Sequence, residues 1–313
     1  MASFRIVSFL LAHFLLSVNK KKTGDRLPPI SPIAQAGLVV IGMNSNFEDK
    51  GGTAMIDLRE IGGRKLACWV NDGGFRADRK TLVFIHGSGG NHTDWIRQFT
   101  PLQNGFNIAV MDLPGHGQSD GPGEEDVSAY VAWVKRLLEG FEIEKPVLIG
   151  HSLGAAICLS FAIRHGDVAA AAVPVGGGVR MPVNPLILEG LKKDPAAIIG
   201  MAAKFSLAKE NRERLSDFVT ENLSRANPGI IYGDFFACSK LDITEAVARI
   251  RIPALILCGA DDKMTPPALS EYLRDHIPGA GLALIPQAGH FVMLENPEAF
   301  NAALTDFVNA LPA

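Results

Sequence analysis

The most constraining feature of this sequence is an aliphatic run at residues 146–149 that ends in a Gly-x-Ser-x-Gly motif at residues 150–154 and passes directly into a small-residue helical pattern. A chain that changes so abruptly from strand to helix holds the central serine, Ser152, in a strained and exposed conformation. Glycine is needed at both flanking positions because a side chain there would collide where the strand and the helix cross. The first N–H groups of the helix lack partners within it and point at the space in front of the hydroxyl. The motif therefore predicts a nucleophilic serine, provided that other residues supply a base, an acid and donors for an oxyanion.

Eight segments of the chain have strand patterns, and most of the later ones are followed by a helical pattern. Segments 54–61 and 65–70 flank Gly62-Gly63 and predict an antiparallel hairpin. The other segments, which are mostly apolar throughout, are 81–85, 106–112, 146–150, 168–175, 254–259 and 282–285. Continuous apolar strands that alternate with helices are typical of a parallel sheet covered on both faces. The predicted fold class is therefore α/β, with a mostly parallel, doubly covered sheet.

The alternation of strand and helix stops after residue 178 and resumes after residue 250. Helices with one apolar side are predicted within this stretch at 186–207, 211–223 and 230–250. We interpret residues 179–250 as an inserted helical lid, and residues 51–178 and 251–313 as the α/β core. In parallel sheets the chemistry collects at the carboxyl ends of the strands, the edge that such a lid would cover. Its large apolar side chains predict a hydrophobic pocket at this edge. These side chains are Leu186, Ile187, Leu188, Ile198, Ile199, Met201, Phe205, Phe235 and Phe236.

Residues 1–50 form an N-terminal extension for which three interpretations stay open. Residues 6–18 are apolar and are flanked by Arg5 and a lysine triplet, but the run is shorter than the roughly 20 residues that span a bilayer. No small-residue cleavage site follows it directly. The segment is a signal or weak anchor, a membrane-surface segment, or an upstream extension from a misplaced start codon with Met43 as a later start. We favour the last, and whether residues 1–42 belong to the mature protein stays open.

Composition narrows the expected partners and compartment. The net charge of −3 and the pI near 6.2, with no basic cluster interleaved with aromatic residues, argue against nucleic-acid binding. The four cysteines lack metal-ligand spacing and are expected to be reduced core thiols, which favours a reducing compartment. We therefore expect a cytoplasmic protein, or alternatively one exported or membrane-associated through residues 4–22. It is expected to be a monomer or homodimer and to need no metal or cofactor.

The base and the acid that Ser152 needs are predicted after two later strands. A serine hydroxyl becomes nucleophilic when a neighbouring base takes its proton, and the base needs an acid partner that fixes its tautomer. Among the eight histidines, His290 stands just past the last strand with small residues before it. Two carboxylates follow the preceding strand, and because one should point inward, we choose Asp262 and keep Asp261 as the alternative. His92 is a further candidate for the pocket wall.

Jointly, these motifs resemble the α/β-hydrolase superfamily, in which the nucleophile, acid and histidine occur in that order. Other segments that match the family's patterns are His86-Gly87, Asp112-Leu113-Pro114-Gly115-His116-Gly117-x-Ser119, Gly259-x-x-Asp262-x-x-x-Pro266 and Gly289-His290. The resemblance covers about residues 51–313 apart from the insertion. It implies that the backbone N–H groups of Ser88 and Leu153 form the oxyanion hole, as suits a glycine-rich loop and a helix start. The Ser88 hydroxyl is a disfavoured alternative nucleophile, because no comparable turn follows it.

This resemblance implies a serine hydrolase that cleaves carboxylic esters, or lactones, through an acyl-serine intermediate. Serine at the turn, where haloalkane dehalogenases and epoxide hydrolases of the superfamily carry aspartate, argues against those two chemistries. Two alternatives stay open. One is a carbon–carbon bond hydrolase of ring-cleavage products, disfavoured because residues 86–90 lack the proline common in that loop. The other is a receptor of this fold that senses a ligand. The expected partner is a small-molecule ester with a hydrophobic portion.

Overall fold

The predicted strands form one sheet in the computed structural model, which describes residues 55–71 and 73–312. The strands are β1 (Met55–Ile61), β2 (Arg64–Val70), β3 (Thr81–Ile85), β4 (Asn107–Met111), β5 (Val147–His151), β6 (Ala171–Val175), β7 (Leu255–Gly259) and β8 (Gly281–Ile285). Their order across the sheet is β1-β2-β4-β3-β5-β6-β7-β8. Strand β2 pairs antiparallel with β1 and β4, and all the other pairs are parallel. The predicted α/β class with a mostly parallel sheet is therefore confirmed.

The helices of the described residues lie on both faces of this sheet and in the insertion between β6 and β7. They are α1 (Ile96–Leu102), α2 (Val127–Gly140), α3 (Leu153–His165), α4 (Pro185–Lys193), α5 (Pro195–Ser206), α6 (Arg212–Ser224), α7 (Pro228–Ser239), α8 (Pro267–His276), α9 (Val292–Glu295) and α10 (Pro297–Ala310). Helices α4 to α7 lie in the insertion between β6 and β7. The insertion begins at the carboxyl end of β6, and several of its side chains line one cavity together with residues of the loops after β3, β5 and β7.

Alternate residues of the central strands supply two separate apolar layers. Val83 and Leu148 belong to the layer shared with α2 and α3, in which Phe161 is fully buried. Phe84 belongs to the opposite layer, shared with α1 and α10, in which Phe300 is fully buried. Because both side-chain rows of each strand are buried, these strands have no polar alternation, and this is why they could be recognised as continuous apolar runs.

The insertion contains more helices than the sequence pattern predicted. The helix predicted at 186–207 is interrupted at Asp194-Pro195, because the residue before a proline is disfavoured in helical conformation. Asp194 there has φ −150° and ψ 74°, and its side chain accepts a hydrogen bond from the Ala197 N–H at 3.2 Å. One predicted helix is therefore two helices, α4 and α5, of which the second begins with its own N-cap.

The prediction of one helix over residues 230–250 is also wrong at its carboxyl end. Helix α7 ends at Ser239, and only a short 3-10 segment, Val247–Arg249, follows before β7. Asp242 lies between them and accepts a hydrogen bond from the Thr244 N–H at 3.1 Å. Aspartate offers the backbone such local bonds in place of helical ones, which favours a turn although the apolar spacing continues.

The interpretations of residues 1–50 lie outside the described residues. Within residues 55–71 and 73–312, no helix combines the length and the apolar character needed to cross a membrane. Cys68, Cys158, Cys238 and Cys258 are all free and buried, as expected of core thiols.

The two-sided burial of the central strands predicts a contrast between two leucines of one sheet. Leu148 in β5 is fully buried, whereas Leu284 in the edge strand β8 is 42% exposed. Leu148→Ala should lower the free energy of unfolding by about 2–5 kcal/mol, because it leaves a cavity in the core. Leu284→Ala should change it by less than about 0.5 kcal/mol. Urea denaturation of both variants measures the difference, and equal losses would contradict this description of the core.

Candidate active site

Ser152 lies in the turn between β5 and α3 in a conformation that side chains rarely adopt. Its φ of 54° and ψ of −111° are maintained by the close crossing of the strand and the helix. A Cβ atom on Gly150 would overlap the carbonyl group of Gly154, and a Cβ on Gly154 would overlap the carbonyl of Ile85. The structure therefore bears out the steric reason for both glycines. The Ser152 N–H donates to the Val175 carbonyl at 2.9 Å, which ties the turn to β6.

Asp262 and His290 form a buried hydrogen-bonded pair beyond β7 and β8. His290 Nδ1 lies 2.8 Å from Asp262 Oδ2, which also accepts a hydrogen bond from the Thr265 hydroxyl at 2.8 Å. The other carboxylate oxygen accepts the Met264 and Thr265 N–H groups at 2.8 and 2.9 Å. A carboxylate only accepts, so Nδ1 carries the proton and Nε2 keeps its lone pair when the ring is neutral. Asp261 is exposed, so the structure pairs His290 with Asp262, the residue chosen from the sequence.

The serine and the histidine line the same cavity. Within the described residues, no hydrogen bond joins the Ser152 hydroxyl to His290. Bonds of this kind are often long in unliganded sites and tighten when a substrate binds. Gly176 lies beside the Asp262–His290 pair. A Cβ atom on it would lie 3.3 Å from both Asp262 Oδ2 and His290 Nδ1. The main chain just after β6 therefore packs directly against the pair.

Two backbone N–H groups beside Ser152 are left without acceptors in the described part of the chain. Leu153 is the first residue of α3, so its N–H has no partner within the helix. Ser88 lies in the loop after β3, in which the neighbouring Gly90 N–H donates to Gly87 O at 3.0 Å and the Gly89 N–H donates to Asp234 at 2.8 Å. These are the two donors named from the resemblance, and Gly89, the other nearby candidate, is already occupied.

The cavity in front of Ser152 has about 550 Å³ of empty space, including its open mouth. Its walls are mainly apolar, and the insertion supplies much of them. The lining residues from the insertion are Leu191, Ile198, Ile199, Ala202, Ser206, Leu223, Ile231 and Phe235. Of the nine apolar side chains named from the sequence, only Ile198, Ile199 and Phe235 line it, and Leu186 is 46% exposed. Helical spacing locates an apolar face but does not say which of its residues turn toward the cavity.

His86 and His92 both have structural roles. His86 Nδ1 donates to the Gly87 carbonyl at 2.8 Å, and Nε2 accepts the Leu113 N–H at 3.1 Å. Burial lowers the pKa of His86 to about 4, so the ring is neutral. His92 lies with Nδ1 3.0 Å from both carboxylate oxygens of Asp112 and is not among the residues that line the cavity. The expectation that His92 forms part of the pocket wall is therefore wrong, because this buried acid binds the ring.

His151, the residue before the serine, connects the turn to the histidine loop. Its Nε2 donates to the main-chain carbonyl of His290 at 2.9 Å. Burial, followed by the nearby His290, holds the pKa of His151 well below its usual range, so the ring is neutral. The motif residue at this position therefore serves as a fixed donor between two loops.

Sequence reasoning missed the groups that hold the His290 loop against the insertion. The Ser206 carbonyl, at the end of α5, accepts the His290 N–H at 2.6 Å. Glu295 is buried, which raises its pKa, and it accepts the Ala208 N–H and the Asn211 side-chain amide at 2.8 and 2.9 Å. No local pattern reveals contacts between residues more than 80 positions apart.

Asp94 is a second acid that the sequence did not single out. It is 2% exposed, lines the cavity, and accepts a hydrogen bond from the Asn222 side chain of α6 at 2.6 Å. Burial raises the pKa of Asp94 to about 7. Asn222 also accepts from Asn91 and Thr93 at 2.8 and 2.9 Å, so one buried amide joins the insertion to the loop after β3.

Comparisons with known proteins identify the family of this chain. The model of the alpha/beta hydrolase family matches residues 82–303, and the chain belongs to that family. It is 27% identical over 281 residues to the 2-hydroxy-6-oxononadienedioate/2-hydroxy-6-oxononatrienedioate hydrolase of Paraburkholderia phymatum, covering 79% of this chain and 92% of that protein. It is 26% identical to the pimeloyl-(acyl-carrier protein) methyl ester esterase of Neisseria meningitidis, covering 74% and 94%. A solved thermophilic esterase has a TM-score of 0.72 and 32% identity, covering 82% and 98%. The protein is a hydrolase of the α/β fold.

The steric account of the serine turn predicts opposite effects for two glycines. Gly150→Ala should lower the free energy of unfolding by about 3 kcal/mol, because its Cβ would overlap backbone that cannot move aside. Gly200→Ala, in α5, meets no atom within 4 Å and should raise stability by up to about 1 kcal/mol. Thermal unfolding followed by circular dichroism compares the two, and a stable Gly150→Ala protein would refute the account.

The raised pKa of Asp94 predicts how stability depends on pH. Its ordinary value is 3.8 and its value in the folded chain is about 7, so the folded state binds this proton more tightly. The resulting stabilisation is complete below pH about 4 and is lost as the pH rises through about 7. Asp94→Asn keeps an acceptor for Asn222 and should reduce the decline in unfolding free energy over that range. The exposed Asp217→Asn is the control, and a decline in Asp94→Asn equal to that of the unchanged protein would disprove the assignment.

Proposed function

We propose that this protein is a carboxylic ester hydrolase that works through an acyl-serine intermediate. The observation that carries the proposal is the buried Asp262–His290 pair, with its 2.8 Å hydrogen bond, at the same apolar cavity as the strained Ser152. A serine, a histidine and a carboxylate in this order are the groups that nucleophilic acyl transfer requires. The likeness to two esterases supports ester cleavage in particular.

In the proposed mechanism, Ser152 Oγ attacks the ester carbonyl carbon while His290 Nε2 takes its proton. Asp262 accepts the Nδ1–H bond, which fixes the tautomer and stabilises the imidazolium ion. The N–H groups of Ser88 and Leu153 stabilise the negative charge that develops on the carbonyl oxygen. His290 then returns the proton to the departing alcohol. A water molecule, deprotonated by His290, attacks the acyl-serine carbonyl; the bond to Ser152 Oγ breaks, His290 returns the proton to Oγ, and the acid is released.

The substrate is proposed to carry a hydrophobic acyl or alcohol group. The insertion contributes α4 to α7 to the cavity wall and serves as the lid in this proposal. Apolar side chains such as Ile198, Ile231 and Phe235 favour an aliphatic or aromatic portion by excluding water from it. Esters with longer acyl chains should therefore have a higher kcat/KM than acetate esters, up to the length that the cavity holds.

The likeness to the oxononadienedioate hydrolase makes carbon–carbon bond cleavage the second candidate. The name of that protein denotes a substrate with two carboxylates, and burying such a dianion requires cationic partners. No arginine or lysine is among the described residues that line this cavity. Ester hydrolysis is therefore the better supported reaction. Turnover of a vinylogous diketone far faster than that of simple esters would reverse this order.

The first test is Ser152→Ala assayed on p-nitrophenyl butyrate. The substitution should lower kcat by about 10⁴- to 10⁶-fold, because the remaining groups cannot form the acyl intermediate. The fold should be retained, as judged by circular dichroism and thermal unfolding.

Ser224→Ala is the matched control, because Ser224 is exposed at the end of α6 and does not line the cavity. This variant should keep the kcat and KM of the unchanged protein. Full esterase activity in Ser152→Ala would exclude the proposed nucleophile.

A further inference from the structure

A carboxylate of the insertion, Asp234 on α7, is fully buried against three parts of the core. It accepts the Gly89 N–H at 2.8 Å, His116 Nε2–H at 2.9 Å and the Tyr130 hydroxyl at 2.5 Å. These donors belong to the loop after β3, the loop after β4, and α2. The cavity lining does not include Asp234, so this cluster is separate from the groups that surround Ser152.

The cluster is ionic. His116 Nδ1 lies 3.1 Å from the Pro114 carbonyl and Nε2 lies 2.9 Å from Asp234, and because both neighbours only accept, both ring nitrogens must donate. Burial opposes the charge, but the Asp234 carboxylate outweighs it and raises the pKa of His116. The Asp234 carboxylate thus accepts from three donors, and a hydrogen bond from an N–H to a carboxylate is stronger than one between neutral groups.

The bond to Gly89 fixes the loop that contains Ser88. The Gly89 N–H and the Ser88 carbonyl belong to one planar peptide unit, so holding the N–H fixes the orientation of that plane, which meets at the Ser88 Cα the unit that carries the Ser88 N–H. Gly89 itself has φ +65°, and a Cβ there would lie 2.8 Å from Ile231, also on α7. Two side chains of α7 therefore hold Gly89: Ile231 lies close to its Cα, and Asp234 accepts its N–H. The Gly90 N–H donates to the Gly87 carbonyl, and this second hydrogen bond also holds the turn around Ser88.

We propose that Asp234 is a positioning residue for ester hydrolysis: by binding the Gly89 N–H from the insertion, it orients the Ser88 N–H toward the oxyanion. The inference rests on the proposed function, in which the Ser88 amide is an oxyanion donor. It gives α7 a role beyond covering the cavity. The insertion sets the geometry of the loop after β3, so the lid and the oxyanion hole form one unit through this contact.

The test compares Asp234→Asn with Asp242→Asn on p-nitrophenyl butyrate. Asp242 is in the same insertion and pairs with Arg180 on the surface, so the same substitution there removes an exposed ion pair. Asp234→Asn should lower kcat about 10- to 100-fold with little change in KM, less than the loss of a whole oxyanion donor. The inhibition constant of an alkylboronic acid, which mimics the tetrahedral intermediate, should rise by a similar factor. Asp242→Asn should leave all three quantities unchanged.

Tyr130→Phe separates positioning from stability. It removes one donor to Asp234 but leaves the bonds to Gly89 and His116, so it should lower Tm while kcat stays within about twofold of the unchanged protein. If Asp234→Asn does not fold, His116→Gln takes its place, because it keeps a donor to Asp234 but removes the charge. This variant should then lower kcat severalfold at unchanged KM.

Two failures can be told apart. A wild-type protein that does not turn over esters, or one whose ester turnover survives the Ser152→Ala substitution, would overturn the proposed function and this inference with it. An active protein in which folded Asp234→Asn, or folded His116→Gln in its place, has normal kcat and normal boronic acid inhibition would overturn the inference alone.

Discussion

The close crossing of β5 and α3 is the constraint on which the site depends. The two backbones approach so closely that only glycine fits at positions 150 and 154, and Ser152 between them is held at a φ of 54°. A strained conformation of this kind persists only where the packing around it enforces it. Here the fully buried β5 lies at the centre of the sheet, between β3 and β6, and α3 is buried along most of its length. The apolar core is thus what keeps the serine exposed to the cavity and the helix N–H groups next to it.

Parallel strand order then brings the remaining groups to the same edge. The loops after β3, β7 and β8 supply the Ser88 amide, Asp262 and His290. The insertion binds two of these loops by buried hydrogen bonds, through Ser206 to His290 and through Asp234 to Gly89. An insertion attached in this way has little freedom to move as a rigid whole, because each bond broken would leave a buried polar group unsatisfied. Its helices are therefore part of the scaffold of the site as well as its cover.

Local patterns were enough to predict the class of the fold and the arrangement at the sheet edge. Strands buried on both faces are continuous apolar runs, so β3, β5 and β7 were recognisable within a residue or two of their observed bounds. The need for glycine at both ends of the Gly-x-Ser-x-Gly motif followed from the crossing of strand and helix. The choice of Asp262 over Asp261 rested on the alternation of side chains. The pairing of Asp262 with His290 followed from strand ends that meet at one edge.

What could not be predicted depends on contacts between distant parts of the chain. Nothing near Asp234 or Glu295 in the sequence indicates that each is buried against another loop, nor that Asp94 lines the cavity. The helix boundaries in the insertion were wrong where Pro195 and Asp242 impose local conformations against the apolar periodicity. His92 was misjudged because a buried partner, Asp112, determines where its ring points.

The proposed function depends above all on acylation of Ser152. The most direct measurement is mass spectrometry of the protein quenched by acid during turnover of a p-nitrophenyl ester, followed by peptide mapping. We expect a mass increase equal to one acyl group on the peptide that contains Ser152, formed together with a rapid burst of p-nitrophenol and lost again on further incubation. Turnover with no covalent adduct, or an adduct on Ser88 in place of Ser152, would contradict it.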